Sequence, residues 1–450
     1  MEIDPSIFKA YDIRGTVGTQ LTTEVAERVG RGFAEWLDDS GKVAVGWDMR
    51  PDSKELSDAI IKGLTEQGRD VISIGLVPSD VFYFACMHLD DVCGSVMITA
   101  SHNPGKDNGI KLCRRQGDYA VAPSIDSGLN VIRDLAIKNQ WPEKKLGKIT
   151  EKNINAEWID HVLGFVDPKT WPNYHIAIDA GNGMYGALGA ELESRLPLHV
   201  EQMYYELDGT FPNHVANPKE PENLKDLIKK INSDKLDFGL AFDGDGDRAV
   251  MVDDKGRMVP GTIMMAIIAD YLLQNTKNET VIYNAVTGRI VAEVVESHNG
   301  KAIREKVGHT YIQEDMAKYK ALFGGETSGH FFFRSNYGAD SGMIGAVIGI
   351  QALVNSGKKL SELYDKYDKY PTINEMNFEV DDKNAVLENI KTEFTDGEID
   401  TLDGVSVLYP YGWINVRPSN TEPILRLNAE ADTQEQLDEL VSRAKNIIVS

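Results

Sequence analysis

The sequence predicts an α/β protein in which three topologically similar α/β domains and a C-terminal α+β domain surround a central cleft. Short apolar runs alternate with helical patterns along most of the 450 residues, which is typical of α/β architecture. The runs form three sets of three, and a polar loop that contains glycine accompanies the third run of each set. Because ligands bind beyond the carboxyl ends of strands in open α/β sheets, we expect these loops to share one cleft.

Nine apolar runs predict the strands of the three α/β domains. They cover 42–48, 70–76 and 94–100 in the first set, 174–180, 198–205 and 236–242 in the second, and 280–286, 301–307 and 320–326 in the third. Neighbouring runs are separated by about 20 to 30 residues, which is enough for a crossover helix between parallel strands. We therefore predict three related β-α-β-α-β units.

The last part of the chain has a different order of elements. Strands are predicted over 370–380, 404–410, 412–418 and 423–431, and a helix over 383–394. Thr433 and Gln436 form a capping-box sequence for a final amphipathic helix that ends near Val449. The predicted domains are 1–150, 151–254, 255–369 and 370–450, with boundaries where polar residues cluster.

Composition and charge limit the class of protein. The formal net charge of −23 argues against a nucleic-acid partner, which would need a basic face. The three cysteines are odd in number and form no CxxC motif, so neither a disulfide framework nor a zinc site is expected. The first residues do not read as a signal peptide, and no apolar run is long enough to cross a bilayer. We expect a cytoplasmic protein with no membrane partner.

The segment DGDGDR, 243–248, is the clearest indication of a metal ion. Asp243, Asp245 and Asp247 alternate with glycines directly after an apolar strand. Glycine lets the backbone curl so that these carboxylates converge, and Mg²⁺ prefers such oxygen ligands together with phosphate oxygens. An EF-hand is excluded because Arg248 stands at its sixth position, where that loop needs glycine. The alternative to a metal site is a solvated acidic turn, but without a cation the carboxylates would repel one another.

The segment TASHNPGKDNGIKL, 99–112, places Ser101 immediately after a buried strand. By itself this pattern is more often a turn in which the serine caps the backbone. However, His102 and Lys111 flank the loop, and a serine that accepts phosphoryl groups needs a nearby cation and a group that manages its proton. Ser101 is therefore a candidate nucleophile.

Two further loops have the chemistry to hold a phosphorylated sugar. GGETSGH, 324–330, supplies Glu326 and Ser328, a carboxylate and a hydroxyl that suit vicinal sugar hydroxyls. RPSNTEP, 417–423, supplies Arg417 and the polar groups that follow it for a phosphate cradle. Either loop alone is also compatible with an ordinary turn.

Two other features are ambiguous. His309 follows a glycine in KVGHT, and a lone histidine is more often structural than catalytic. Gly181, Gly183 and Gly186 form a literal GxGxxG after a predicted strand, and an acidic residue, Glu201, follows about 20 residues later. An NAD-dependent dehydrogenase is therefore a distant alternative, although no typical apolar helix start follows the glycines.

Taken together, four motifs resemble the α-D-phosphohexomutase superfamily, and within it the bacterial phosphomannomutase/phosphoglucomutase group. They are TASHNPGKDNGIKL, DGDGDR, GGETSGH and RPSNTEP, and they occur in the family order. The opening FKAYDIRG, 8–15, is also similar to the start of that family. The resemblance covers essentially the whole chain. It implies a heart-shaped, four-domain molecule whose fourth domain binds phosphate.

The resemblance implies a role for each candidate residue. Ser101 would carry the phosphoryl group, and Glu326 and Ser328 would hold the sugar hydroxyls. Mg²⁺ would be bound by Ser101, Asp243, Asp245 and Asp247. The phosphate that does not react would be held by Arg417, Ser419, Asn420 and Thr421. The cleft would be lined by Tyr11, Arg14, His102, Lys111, Arg248, Gly308 and His309.

The implied reaction is the reversible transfer of a phosphoryl group between the 1 and 6 positions of mannose or glucose phosphates. It would pass through a phosphoserine and a bisphosphorylated sugar, with glucose 1,6-bisphosphate or mannose 1,6-bisphosphate as the phosphorylating activator. The general base would be His309, Lys111 or Arg14, and the sequence does not choose among them. The expected partner is a small sugar phosphate, and the expected oligomeric state is a monomer or weak dimer.

Phosphoglucosamine mutase is the alternative within the superfamily. Its members usually have glycine where this chain has Asn420 and glutamine where it has Thr327, so Asn420 favours mannose or glucose phosphates. Thr327 also differs from the methionine that is common in the mannose and glucose group. Val286 stands where bacterial relatives often have lysine or arginine. One phosphate or sugar contact is therefore either missing here or supplied by Arg289.

Overall fold

The first α/β unit is built on a mixed seven-stranded sheet. The structure is a computed structural model that describes residues 2–419 and 424–449. The strands of this unit are β1 (Ile13–Thr16), β2 (Lys42–Trp47), β3 (Val71–Leu76), β4 (Val92–Ile98), β5 (Asp107–Gln116), β6 (Tyr119–Val121) and β7 (Ile149–Glu151). Its helices are α1 (Thr23–Trp36), α2 (Ser53–Glu66), α3 (Ser79–His88) and α4 (Asn130–Lys138). The strand order is β1-β5-β4-β2-β3-β7, and β6 pairs with β5.

The second and third units each have a four-stranded sheet. The second contains α5 (Asn155–Leu163), β8 (Tyr174–Asp179), α6 (Tyr185–Ser194), β9 (Leu198–Met203), α7 (Lys225–Asp234), β10 (Phe238–Phe242) and β11 (Ala249–Val252). The third contains α8 (Gly261–Leu273), β12 (Thr280–Asn284), α9 (Ile290–Ser297), β13 (Lys301–Glu305), α10 (His309–Tyr319), β14 (Phe323–Gly325), β15 (Phe331–Phe333), α11 (Gly342–Ser356) and α12 (Leu360–Tyr367). The strand orders are β11-β10-β8-β9 and β13-β12-β14-β15.

The three sheets share one arrangement, so the predicted threefold repeat is confirmed. In each unit the strand of the first apolar run is central and pairs in parallel with the strands of the other two runs. An antiparallel strand then returns beside the third run. Strands β4 and β10 are buried along their whole length, as expected where helices cover both faces of a sheet. The loops after β4, β10 and β14 consequently occupy equivalent places.

The C-terminal domain is the predicted α+β unit. It contains β16 (Met376–Glu379), α13 (Lys383–Glu393), β17 (Glu398–Asp400), β18 (Val405–Tyr409), β19 (Gly412–Pro418), β20 (Ile424–Ala431) and α14 (Gln434–Ile448). Its antiparallel sheet has the order β16-β20-β19-β18-β17. Thr433 and Gln436 form the predicted capping box at the start of α14. Strand β17 was not predicted, because its short polar sequence has no apolar alternation.

The first three units share an apolar core, whereas the C-terminal domain has its own. One continuous cluster of buried residues runs through the first three units and includes Phe84, Trp158, Phe238 and Phe331. A separate cluster around Phe394 fills the C-terminal domain. Strand β7 pairs with β3, so the first sheet extends one residue past the predicted boundary at 150. Among the described residues, no helix combines the length and the apolar character that a membrane span requires.

Candidate active site

The loops after β4, β10 and β14 meet the C-terminal domain at a cavity of about 690 Å³. All four units contribute residues to its wall. Among them are Arg14, Ser101, Lys219, His309, Glu326 and Arg417. This meeting follows from the fold, because the carboxyl ends of β4, β10 and β14 are where the polar loops begin. The sequence-predicted loops are therefore brought together in one place.

Ser101 lies in the loop after β4 with a left-handed backbone conformation, φ +53°. Its amide is fixed by a 2.9 Å hydrogen bond to the Thr99 hydroxyl. Its own hydroxyl donates to Asp243 Oδ2 at 2.8 Å and accepts from Arg248 Nη2 at 2.7 Å. Nδ1 of His102 lies 3.0 Å from the same hydroxyl. Burial, followed by the charge of Arg248, holds the pKa of His102 well below its usual range, so this imidazole is neutral at pH 7.

Arg50 holds the Ser101 loop in shape and was missed by the sequence analysis. The buried guanidinium donates to four carbonyl oxygens of the loop, those of Ser101, Asn103, Pro104 and Asp107, at 2.9, 2.6, 3.0 and 2.7 Å. Arginine has enough donors for such a cage, whereas lysine does not. No local pattern around Arg50 predicts this role, because all four acceptors lie more than 50 positions away.

The three aspartates of the metal loop are fully buried and converge as predicted. One carboxylate oxygen from each lies within 4.8 Å of the others. Gly246, with φ +81°, makes the turn that lets alternate side chains point the same way. Oδ1 of Asp243 accepts from the amides of Gly246 and Arg248, both at 3.1 Å. The Ser79 hydroxyl donates to Asp245 at 2.6 Å and links the loop to the first unit.

This carboxylate set fits a metal ion. Oδ1 of Asp245 is buried, and the described part of the chain gives it no hydrogen-bond partner. A buried carboxylate oxygen without a partner is costly unless a cation satisfies it. Desolvation raises the pKa of Asp243 to about 7, which an added cation would reverse. Three hard oxygen donors beside the buried hydroxyl of Ser101 match the ligand preference of Mg²⁺.

Two buried cations, one on β5 and one at the end of the metal loop, partly balance the aspartates. Nζ of Lys111, on β5, lies 2.9 Å from Asp245 Oδ2 and contacts Asp247. Nε of Arg248 donates to Asp243 Oδ2 at 2.8 Å. Although burial alone would lower it, the neighbouring carboxylates raise the pKa of Lys111. Lys111 is therefore charged throughout the physiological range.

His330 is a further site residue that the sequence analysis did not single out. Its Nε2 lies 3.3 Å from Asp247 and its Nδ1 lies 3.2 Å from Glu326, so it bridges the metal loop and the sugar loop. Burial opposes its protonation, but Asp247 and Glu326 raise the pKa of His330 to about 10. His330 ends the GGETSGH segment two positions after Ser328, much as His102 follows Ser101, and a histidine beside a candidate serine is the sequence signal that predicts it.

The predicted sugar-binding loop packs against the start of α10. Glu326 accepts from the amide of Gly308 at 2.9 Å, and Ser328 lies 3.0 Å from Nδ1 of His330. Burial opposes ionisation, yet the hydrogen bond and charge of His330 lower the pKa of Glu326 to about 2. The ring of His309 meets that of Tyr11 edge-on at 4.9 Å. Both Glu326 and Ser328 face the cavity.

His309 differs from His330 in charge. Burial, followed by the positive charges of Lys111 and His330, lowers the pKa of His309 to about 3. Arg14 reaches the cavity from β1 and is held by Asp12 and by Asn103 Oδ1, both at 2.7 Å. At pH 7 His309 is therefore neutral, whereas Arg14 is charged.

The C-terminal domain and Lys219 of the second unit present basic side chains to the cavity around one carboxylate. Glu375 lies 3.2 Å from Arg417 Nη2, 3.3 Å from Arg426 Nη1 and 3.8 Å from Lys219 Nζ. Three cations around one anion leave an excess of positive charge, which a bound phosphate would balance. The amide of Ser419 donates to the carbonyl of Ile424 at 2.9 Å. The predicted ligands Asn420 and Thr421 lie outside the described residues.

Arg289 is engaged with the C-terminal domain, which favours a missing contact over the other alternative raised for position 286. Its Nε and Nη2 donate to Glu430 and Asp432 at 2.9 and 2.8 Å, and its guanidinium stacks on Tyr370 at 4.3 Å. These partners hold it at the contact between the third and fourth domains. Val286 itself lines the cavity with an apolar side chain.

The glycines of the GxGxxG sequence serve packing, which removes the basis for the dehydrogenase alternative. A Cβ at Gly183 would lie 2.8 Å from the carbonyl oxygen of Gly244, in the metal loop. The amide of Met184 donates to that same oxygen at 2.9 Å. A Cβ at Gly186 would lie 2.2 Å from the carbonyl of Tyr205. The backbone that would cradle a pyrophosphate is therefore filled by protein.

Comparisons with known proteins agree with the fold. Four family models match in order: Phosphoglucomutase/phosphomannomutase alpha/beta/alpha domain I over 5–129, domain II over 156–256, domain III over 260–370, and the C-terminal domain over 375–447. A phosphoglucomutase of Neisseria gonorrhoeae is 37% identical, covering 100% of this chain and 98% of its own. A phosphomannomutase of Escherichia coli is 35% identical over 95% of each chain.

A solved structure gives the same result. The chain matches a phosphoglucomutase/phosphomannomutase family protein from Burkholderia thailandensis with a TM-score of 0.90 and 29% identity. That match covers 99% of this chain and 97% of the other. The chain therefore belongs to the phosphoglucomutase/phosphomannomutase family.

Proposed function

We propose that this chain is a phosphohexomutase that moves a phosphoryl group reversibly between the 1 and 6 positions of mannose or glucose phosphates. The observation that carries the proposal is the hydrogen bond between Ser101 and Asp243, which places a buried nucleophile against three converging carboxylates. Groups suited to a sugar and to a second phosphate line the same cavity. Membership of the family supports the same reaction.

Asp243, Asp245 and Asp247 would hold Mg²⁺ together with an oxygen of the phosphorylated serine. When bound, the ion would neutralise charge on the transferring phosphoryl group, which is the dominant need in such reactions. Lys111 and Arg248 supply two fixed positive charges that would also neutralise the transferring phosphoryl group. The unpartnered oxygen of Asp245 supports this assignment.

In the proposed cycle Ser101 starts phosphorylated, with glucose 1,6-bisphosphate or mannose 1,6-bisphosphate as the activator. A hydroxyl of the sugar monophosphate attacks the phosphorus while the bond from phosphorus to Ser101 Oγ breaks. The proton of the attacking hydroxyl passes to a base, and the serine oxygen regains a proton. The resulting bisphosphate turns around, and its other phosphoryl group passes back to Ser101, which releases the isomeric monophosphate.

His309 is the best candidate for the base among the three groups that the sequence left open. Lys111 and Arg14 are held in their charged forms by carboxylates, so neither has a free electron pair at neutral pH. His309 is neutral, because its pKa is lowered to about 3. An incoming phosphate dianion would raise that pKa toward neutrality, which a base needs.

Reorientation of the bisphosphate requires that the cleft loosen and close again. The C-terminal domain has its own apolar core, whereas the first three units share a continuous one. Its contacts to the third unit include ion pairs such as that of Arg289 with Glu430. Polar contacts break and re-form at lower cost than a shared apolar core, so this domain is the part that would move. Closure would also protect the phosphoserine from water.

The experiment that tests the substrate class compares turnover of mannose 1-phosphate, glucose 1-phosphate and glucosamine 1-phosphate, each with Mg²⁺ and an activating bisphosphate. We expect mannose or glucose phosphate to give the highest kcat/KM. A clear preference for glucosamine 1-phosphate would overturn the sugar assignment and leave the mutase reaction in place. Absence of turnover with all three would count against the reaction itself.

A further inference from the structure

Two histidines and a glutamate meet on the second unit, on neighbouring strands of its sheet. His175 in β8 pairs directly with His199 in β9, and Glu201 follows two positions later on β9. In a sheet, residues that pair directly and residues two apart on one strand point to the same face. The three side chains therefore form a cluster near the amino ends of the strands, whereas the cavity lies beyond the carboxyl ends.

The distances within this cluster match those around a tetrahedral metal ion. Nε2 of His175 and Nε2 of His199 lie 3.2 and 4.0 Å from the same oxygen, Oε1 of Glu201. The imidazole centroids are 4.4 Å apart. Ligand bonds of about 2.0 to 2.1 Å in a tetrahedral site place donor atoms roughly 3.3 Å apart. The longer distance belongs to His199, whose side chain is 72% exposed and free to rotate by the small amount required.

We propose that His175, His199 and Glu201 form a second metal site, for a transition-metal dication such as Zn²⁺. Two imidazoles and one carboxylate are a donor set that zinc uses, and water completes the coordination because the cluster is open to solvent. The set differs from the three oxygen donors of the aspartate loop, which suit Mg²⁺. The two donor sets therefore favour different ions, and Mg²⁺ must be present in excess when Zn²⁺ is tested.

Neighbouring charges hold the glutamate in the geometry that this site needs. Nζ of Lys230 lies 2.9 Å from Oε2 of Glu201, and Asp234 fixes the same ammonium group at 2.8 Å. This contact uses the oxygen that faces away from the imidazoles and leaves Oε1 for the ion. Outer partners of this kind orient ligating carboxylates in known metal sites.

The proposed ion would tie the outer strand of the sheet to its neighbour. Strand β9 lies at the edge of the second sheet and pairs with β8 alone among the described strands. A ligand that binds the folded state and not the unfolded one stabilises the protein by mass action. The expected consequence is therefore greater thermal stability, with no change in turnover when Mg²⁺ is saturating.

Isothermal titration of the full chain with ZnCl₂, in excess Mg²⁺ so that the aspartate loop is occupied, tests the site. We expect one Zn²⁺ per chain, with affinity reduced at least about tenfold in His199→Ala and in Glu201→Gln. The matched control is His298→Gln, which removes an imidazole that pairs with Asp270 at 2.7 Å. This variant should bind Zn²⁺ like the unmodified chain, and only chains with the intact cluster should gain thermal stability from Zn²⁺.

A second measurement identifies the ligands directly. With Cu²⁺ as the probe, electron paramagnetic resonance should show coupling to two imidazole nitrogens in the unmodified chain and to one in His199→Ala. Zn²⁺ that binds His199→Ala with unchanged affinity would belong elsewhere and would overturn the proposal. So would a chain that takes up no Zn²⁺ once Mg²⁺ is saturating.

Discussion

The hydroxyl of Ser101 donates a 2.8 Å hydrogen bond to Asp243, which is 142 positions later in the chain and belongs to a different sheet. Their loops approach so closely that a Cβ at Gly244 would lie 2.3 Å from the carbonyl oxygen of Ser101. Glycine at 244 is therefore required by packing. The Ser101 loop and the DGDGDR loop are positioned by direct backbone contact between two units.

Replacing Gly244 by alanine should separate the two loops. Because a misplacement of about 1 Å at a reacting centre costs about 10²-fold in rate, we expect kcat to fall by that order while the fold survives. Steady-state kinetics with circular dichroism as a folding check provides the measurement. The control is Gly164→Ala, where the nearest contact of the new Cβ is 3.1 Å. A Gly244→Ala enzyme with normal kcat would contradict the packing account.

Replacing Asp245 by asparagine should weaken metal binding. The variant loses one of three buried carboxylates, including the oxygen without a partner. We expect Mg²⁺ to raise the melting temperature of the unmodified chain, and we expect this shift to disappear in the variant. Turnover should fall by about 10²-fold or more, since charge on the transferring group is no longer neutralised. Asp91→Asn, at a side chain that is 80% exposed, is the control and should keep both properties.

His309 should make the protein less stable in acid. Its pKa is near 6.5 in an unfolded chain and about 3 in the folded one, so below pH 6.5 protons bind preferentially to the unfolded state. The penalty is absent above pH 6.5 and grows as the pH falls toward 3. At pH 5 it amounts to roughly 2 kcal/mol. Urea unfolding at pH 7 and pH 5 should show a smaller loss for His309→Gln than for the unmodified chain, and an equal loss would refute this assignment.

Replacing Arg289 by glutamine should loosen the C-terminal domain. Glu430, which is 2% exposed, would lose its charged partner, and Asp432 would lose its own. We expect KM for glucose 1-phosphate to rise about tenfold, which corresponds to about 1.4 kcal/mol of lost docking energy. Adding Glu430→Gln should restore part of the loss, because the buried charge is then removed too. Hydrogen exchange in β19 measures the loosening, and unchanged exchange would exclude it.

The sequence predicted the fold well because apolar runs and glycine-containing loops are local features. The nine predicted strands are present, and the loops of Ser101, Asp243 and Glu326 meet as their places in the repeat required. What it missed depends on contacts between distant segments. Arg50 acts on a loop more than 50 positions away, and the cluster around Glu375 joins residues of two domains. The partners of Arg289 likewise belong to the next domain, so the sequence left its role open.

The central claim is that Ser101 carries the phosphoryl group, and intact mass spectrometry tests it most directly. The purified chain is incubated with glucose 1,6-bisphosphate and Mg²⁺, and the modified residue is located by peptide fragmentation. Our account predicts the gain of one phosphoryl group on Ser101, removal of that group by glucose 1-phosphate, and no gain in Ser101→Ala. A chain that stays unphosphorylated, or that carries the phosphate on another residue, would contradict it.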